Sequence, residues 1–199
     1  YHPVSNSFNY LVNKKDKLFI ITDEEGEIGP YVDFESVRYN NHEYAYSSDK
    51  SKFAYFAKGI SGKWNLFVNH DKKGDEYEHV VTKSFRFNTD GNKTAFIGIN
   101  GNSWFVESGN NASGPFRVVL PDSLNFTDHN HLLFAAKKEK STSWSIVFDG
   151  KEVGETSDLT LVNDRGRLKI LEYLPEKGQI RYHVNVNGNL VQKLLPVEI

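Results

Sequence analysis

The feature that most narrows what this chain can become is an internal repeat of about forty residues. Trp64, Trp104 and Trp144 stand 40 residues apart, and Gly74, Gly114 and Gly154 keep the same step. Upstream of each Trp, Tyr44-Ala45-Tyr46-Ser47-Ser48-Asp49 recurs as Phe85-Arg86-Phe87-Asn88-Thr89-Asp90. It recurs more loosely as Leu124-Asn125-Phe126-Thr127-Asp128 and as Leu159-Thr160-Leu161-Val162-Asn163-Asp164, so the turn Asp positions are 41, 38 and 36 residues apart. An apolar run follows each Asp: Phe53 to Ala57, Thr94 to Gly98, His131 to Ala135 and Leu168 to Glu172. Independent landmarks that share one period are not chance matches of short motifs.

Each unit carries three or four short runs rich in aromatic and β-branched residues, separated by turn chemistry, which is the signature of strands and hairpins. Asp90-Gly91, Asn100-Gly101, Asp149-Gly150 and Asn187-Gly188 are pairs suited to the positive φ angles of tight hairpins. A sheet of four such strands cannot bury both its faces alone. The expected solution is radial stacking, an all-β β-propeller of four-stranded antiparallel blades in which the repeated Trp packs between neighbouring blades. The units predict one domain over residues 1–199, with four complete blades at 44–84, 85–123, 124–158 and 159–199. A fifth, partial blade precedes them: Phe8 to Val12, Leu18 to Thr22 and Gly29-Pro30-Tyr31-Val32 match second, third and fourth strands. Its innermost strand is supplied by residues 1–5, is cut away within a blade, or comes from elsewhere.

Phe85 to Gly91 and Phe148-Asp149-Gly150-Lys151-Glu152-Val153-Gly154 resemble the two signatures of the WD-like repeats of bacterial TolB-type β-propellers. The first is an aromatic-x-F-S-x-D-G turn and the second a strand ending near D-G-K-x-G. The resemblance covers nearly all of the chain and departs where Lys50 and His129 replace the Gly after the turn Asp. It implies a periplasmic, cell-envelope or secreted setting, often with additional domains in the native protein. A fold of this kind does not fix an activity, which resides in particular sites.

The composition excludes several classes. With 24 Lys and Arg against 26 Asp and Glu, the formal charge of −2 offers no general grip on nucleic acid. No apolar run approaches the roughly 20 residues of a membrane-spanning helix. Cys is absent, and with it disulfides, thiol nucleophiles and thiolate metal sites. Met is absent too and the chain opens on Tyr1, which reads as a processed chain or a piece of a longer one. No G-x-S-x-G, H-E-x-x-H or phosphate-binding glycine loop occurs, and no cofactor is expected. Three Asn-x-Ser/Thr sequons begin at Asn92, Asn111 and Asn125.

The recurring Asp49, Asp90, Asp128 and Asp164 suggest a ring of carboxylates for cations, but a side chain that every unit shares is better explained by capping every turn. His129 and His131 fall on a turn with no further His cluster nearby in sequence, so no metal site is assigned. The acidic stretches at Asp23 to Glu27 and Asp71 to Glu78 read as protected strand edges rather than calcium loops.

If periodic residues are structural, departures from the period are where function belongs. The clearest is Glu35 to Glu43, which lengthens the step from Gly29 to Gly74 to 45 residues and joins a fourth strand to the next innermost strand. Such loops surround the channel mouth of a propeller. Arg38, Tyr39 and His42 there offer a donor, an aromatic plate and a titratable ring, and Lys83, Asp122 and Asp158 lie on equivalent connections. The resulting expectation is a non-enzymatic binding or protein-interaction module with a protein or glycan partner. The competitors are a carbohydrate-binding propeller and a glycoside hydrolase using two carboxylates in the channel.

Overall fold

A computed structural model describes residues 9–23, 25–36, 45–109, 111–160, 162–164 and 167–197, and they form antiparallel sheets with two short 3-10 turns and no α-helix. The first sheet holds β1 (Asn9–Lys14), β2 (Lys17–Thr22) and β3 (Gly26–Tyr31). The second holds β4 (Asp33–Ser36), β5 (Ala45–Tyr46), β6 (Phe53–Lys58), β7 (Trp64–Val68) and β8 (Asp71–Tyr77). The third is made of β9 (His79–Phe87), β10 (Thr94–Asn100), β11 (Ser103–Ser108) and β12 (Asn111–Phe116). The fourth contains β13 (Val118–Val119), β14 (Asn125–Phe126), β15 (Leu132–Lys137), β16 (Trp144–Phe148) and β17 (Lys151–Thr156). A hairpin of β18 (Val162–Asp164) and β19 (Arg167–Lys169) precedes a last sheet of β20 (Leu171–Leu174), β21 (Gln179–Val186) and β22 (Asn189–Pro196). Both residues of Asp149-Gly150 and of Asn187-Gly188 take positive φ, as their hairpins demand.

Successive sheets pack face to face in chain order. Because side chains alternate along a strand, β6 sends Phe53, Tyr55 and Ala57 into the core shared with the first sheet. It sends Ala54 and Phe56 into the core shared with the third. β15 likewise points Leu132, Phe134 and Ala136 toward the third sheet and Leu133 and Ala135 toward the last. A strand buried on both faces has no polar side to show, so its sequence is a continuous apolar run rather than an alternation. The three Trp residues occupy corresponding seats: Trp64 between the second and third sheets, Trp104 between the third and fourth, Trp144 between the fourth and last. Lys58 covers the ring of Trp64 at 5.8 Å and Lys137 that of Trp144 at 4.7 Å.

The repeated glycines mark one backbone device. Gly29 sits in the last strand of the first sheet, β3, and Gly74, Gly114 and Gly154 in the fourth strand of theirs, each where the pairing with the preceding strand slips register. The first strand of each following sheet is also broken at a fixed place. In the second sheet Ser36 opposes Tyr55 and Ala45 opposes Ala54, so eight residues are inserted between neighbouring pairs. In the third, Val81 opposes Ile97 and Arg86 opposes Ala95; in the fourth, Val119 opposes Ala136 and Asn125 opposes Leu133.

Two expectations change as a result. The segment holding Arg38, Tyr39 and His42 does not join a fourth strand to a first strand. Asp33–Ser36 already pairs with β6, so the insertion interrupts the first strand itself. The sheets accordingly begin at Asp33, His79 and Val118, ahead of the boundaries drawn from the repeat. The last unit is displaced by one strand: Leu171–Leu174 pairs with β21 as part of a first strand, and Thr160 N–H bonds to His183 O as its other part. The hairpin β18–β19 fills the break, and no fourth strand follows β22 among the described residues.

The described sheets form a row, and no core cluster among the described residues joins the first sheet to the last. Both outer faces mix apolar side chains with an ion pair. Tyr10, Val12, Phe19 and Ile21 face away from the second sheet together with the Lys14–Glu27 pair, with Tyr10 55% exposed. On the far side of the last sheet Arg181 is ion-paired to Glu172 across the strands, beside His183, Gln192 and the exposed Leu190 and Leu194. No helix among the described residues is long and apolar enough to cross a membrane.

Candidate functional site

In the third and fourth sheets the break in the first strand is built by a repeated serine. Ser84 Oγ accepts from Ile97 N–H at 2.8 Å and donates to Val81 O at 2.6 Å. Ser123 Oγ does the same with Ala135 N–H at 2.8 Å and Leu120 O at 2.7 Å. The hydroxyl replaces a missing main-chain partner, so the strand opens without leaving a buried N–H unpaired. Around this plug lie the sequence-predicted site residues. Lys83 immediately precedes Ser84 and is exposed, and its carbonyl accepts from Arg86 Nη1 at 2.7 Å. Asp122 is exposed on the 3-10 turn Pro121–Ser123, which packs against β9, the strand that carries Lys83. Asp158 is half-buried and structural: its carboxylate accepts from Asn185 N–H at 3.0 Å and its carbonyl from Thr156 Oγ1 at 2.9 Å. Arg38, Tyr39 and His42 lie outside the described residues.

At the opposite ends of the strands, one turn acid caps its own turn and another reaches the turn of the next sheet. Asp49 accepts from Ser47 Oγ, Ser51 Oγ and Ser51 N–H, and these bonds hold its carboxyl at about 2, led by the one from Ser47. Asp90 accepts from Asn130 Nδ2 at 2.5 Å, and Asn130 Oδ1 accepts from Asn88 Nδ2 at 3.0 Å, which ties the turn of the third sheet to that of the fourth. His131 Nδ1 lies 2.6 Å from Asp149 Oδ2, and its ring stacks on Phe148 with 4.9 Å between centroids. Among the described residues no three His, Asp or Glu side chains gather as a metal site would require.

One acidic side chain is deeply buried between sheets. Glu107, 2% exposed, accepts from Tyr77 Oη–H at 2.7 Å. Burial raises the Glu107 carboxyl above the ordinary range against the opposing effect of the Tyr77 hydrogen bond. Tyr77 is raised as well, first by burial and then by Glu107. Gly74 makes the space, since a Cβ there would stand 2.8 Å from Glu107 Cδ.

A feature that sequence reasoning missed is a cleft of about 350 Å³ between the second and third sheets. Lys52, Lys73 and Lys93 line it together with Asp71, Asn69 and Asn92, over a floor that includes Val68 and Phe87. Its signal lies in the repeat. The position of Phe53 and Leu132, at the start of the second strand, is Thr94 in the third sheet. The position of Asn69 and Asp149, which cap that strand through Phe53 N–H and Leu132 N–H, is Gly109. Two smaller side chains at corresponding places leave the gap.

No family model matches this chain, and no curated protein matches it. Among solved structures it is similar to a 6-phosphogluconolactonase-like protein from Bacteroides uniformis ATCC 8492, with 11% identity over 95% of this chain and 71% of that one and a TM-score of 0.33.

Proposed function

We propose that this chain is a non-enzymatic binding scaffold that meets its partner along the broken first strands. The observation that carries the reading is the break itself, found at corresponding register in the second, third and fourth sheets and again in the last. A sheet that only needed to pack would keep its first strand whole. In the third, fourth and last sheets the break is bridged by a serine plug or a hairpin, and at two of them an exposed charge, Lys83 or Asp122, is turned outward. The longest insertion carries Arg38, Tyr39 and His42. Together with the TolB-type resemblance, the face-packed row supports reading the sheets as blades of a propeller whose first strands border the axis, in an envelope or secreted protein. The partner is a protein or a glycan, recognised by mixed charge and the Tyr39 ring.

The test is binding on peptide and glycan arrays in parallel with assays on aryl glycosides and a phosphosugar lactone. The expected outcome is saturable binding that Tyr39→Ala and Lys83→Glu each reduce, with unchanged far-UV circular dichroism and no product from any substrate. Steady turnover of a substrate would replace the scaffold with an enzyme. Binding indifferent to both substitutions would remove the first-strand edge from the reading.

A further inference from the structure

We infer that the cleft between the second and third sheets is a binding site for a small oxyanion ester, a phosphate or sulfate carried on a compact hydroxylated body. This inference stands apart from the first-strand reading and concerns the other end of the strands.

Three ammonium groups face one carboxylate in a chain whose formal charge is −2, so the cleft is a local reversal of sign. The cations come from three separate segments: the turn before β6, strand β8 and the turn before β10. Lys52 is held in place, since its Nζ donates to Gly91 O at 2.9 Å across the sheet boundary. Lys73 lies 3.5 Å from Asp71, an exposed pair that water screens and that an incoming anion can displace.

Lys93 is the informative one. Lys52, Lys93 and His131 occupy the same place in three successive sheets, just before the second strand. In the fourth sheet that place meets a carboxylate, since His131 Nδ1 lies against Asp149 Oδ2. In the third sheet the position of Asp149 is Gly109 and in the second it is the uncharged Asn69, so neither Lys93 nor Lys52 meets a carboxylate there, and the cleft opens between these two sheets. A ligand anion supplies what Asp149 supplies next door. Ammonium groups suit the tetrahedral oxyanion as point charges that several oxygens can share. Asn92 sets its amide by accepting from Asn88 Nδ2 at 2.7 Å, which leaves its NH2 group as the donor for a hydroxyl. Phe87 gives the body of the ligand an apolar surface to rest on.

Calorimetric titration of the protein with inorganic phosphate, inorganic sulfate, a hexose 6-phosphate, a hexose 6-sulfate and the free hexose tests the inference and separates the two esters. The expected result is saturable binding of at least one ester, weaker binding of the matching inorganic anion, and none of the free sugar. Gly109→Asp restores the sibling carboxylate at a position where Asp149 itself holds a φ of 48°. It should weaken the ester at least 10-fold, while Gly109→Asn, of similar size and uncharged, should change it less than 3-fold. Lys93→Gln should cost about 10-fold. Absence of saturable binding for every anion overturns the inference in the unmodified protein alone. Equal effects of the Asp and Asn variants overturn it too, since volume and not charge would then be what the ligand senses.

Discussion

Replacing Gly74 by Ala probes how the second and third sheets are fitted together. At Gly74 the backbone φ is +69°, a left-handed conformation that costs a side-chain-bearing residue about 1 kcal/mol. The added methyl would stand 2.8 Å from Glu107 Cγ and Cδ and 2.9 Å from Oε1. Glu107 is walled in on the other side by Tyr77, so it can yield only by giving up that hydrogen bond, and overpacking of this kind costs about 1–3 kcal/mol. The sum is about 3 kcal/mol. For a chain of this size it should lower the melting temperature by roughly 6–12 °C, read by calorimetry or urea denaturation. The decisive comparison is a double-mutant cycle with Glu107→Ala. Once the carboxyl is removed the methyl has room, and Gly74→Ala should then cost only the backbone part, about 1 kcal/mol. A Gly74→Ala effect below 1 kcal/mol, or one unchanged in the Glu107→Ala background, would refute the reasoning.

Ser84→Ala removes the hydroxyl that bridges Ile97 N–H and Val81 O and should destabilise the protein by about 1–3 kcal/mol through a buried unpaired N–H, measured by chemical denaturation; a loss below 0.5 kcal/mol would contradict the plug. Glu107 and Asp49 have opposite pH signatures. Glu107 is raised in the folded state, so its favourable contribution is complete below its unfolded value and is lost as pH rises through the folded one. The stability of Glu107→Gln relative to the unmodified protein should therefore grow as pH rises above the ordinary carboxylate range. Asp49 is lowered, so its contribution is present above the unfolded value and lost as pH falls through about 2. NMR titration of its carboxyl carbon should find that midpoint, and Ser47→Ala should raise it.

What the sequence makes legible here follows a physical rule. Trp64, Trp104 and Trp144 announced themselves because each answers the same demand, a large ring between two sheets, and identical demands leave identical residues. The glycines of these last strands recur for the same reason. The strand breaks were hidden, since a serine that plugs a strand looks like any polar residue until Ile97 or Ala135 is seen donating to it. The last unit reads one strand out of place in the sequence because the hairpin β18–β19 carries its own strand-like residues, with Leu168 aligned where the repeat expects a core strand. Lys52, Lys73 and Lys93 are 21 and 20 residues apart, and only the stacking of sheets brings them to one cleft. Their signature was negative, a Gly where sibling units hold Asn69 and Asp149.

The two outer walls of the row are alike in kind. In front, Tyr10, Val12, Phe19 and Ile21 share their face with the Lys14–Glu27 pair. Behind, Leu190 and Leu194 share theirs with the Arg181–Glu172 pair. Any surface laid against either wall would find the same mixture, grease that it can cover and charges that it must first dry.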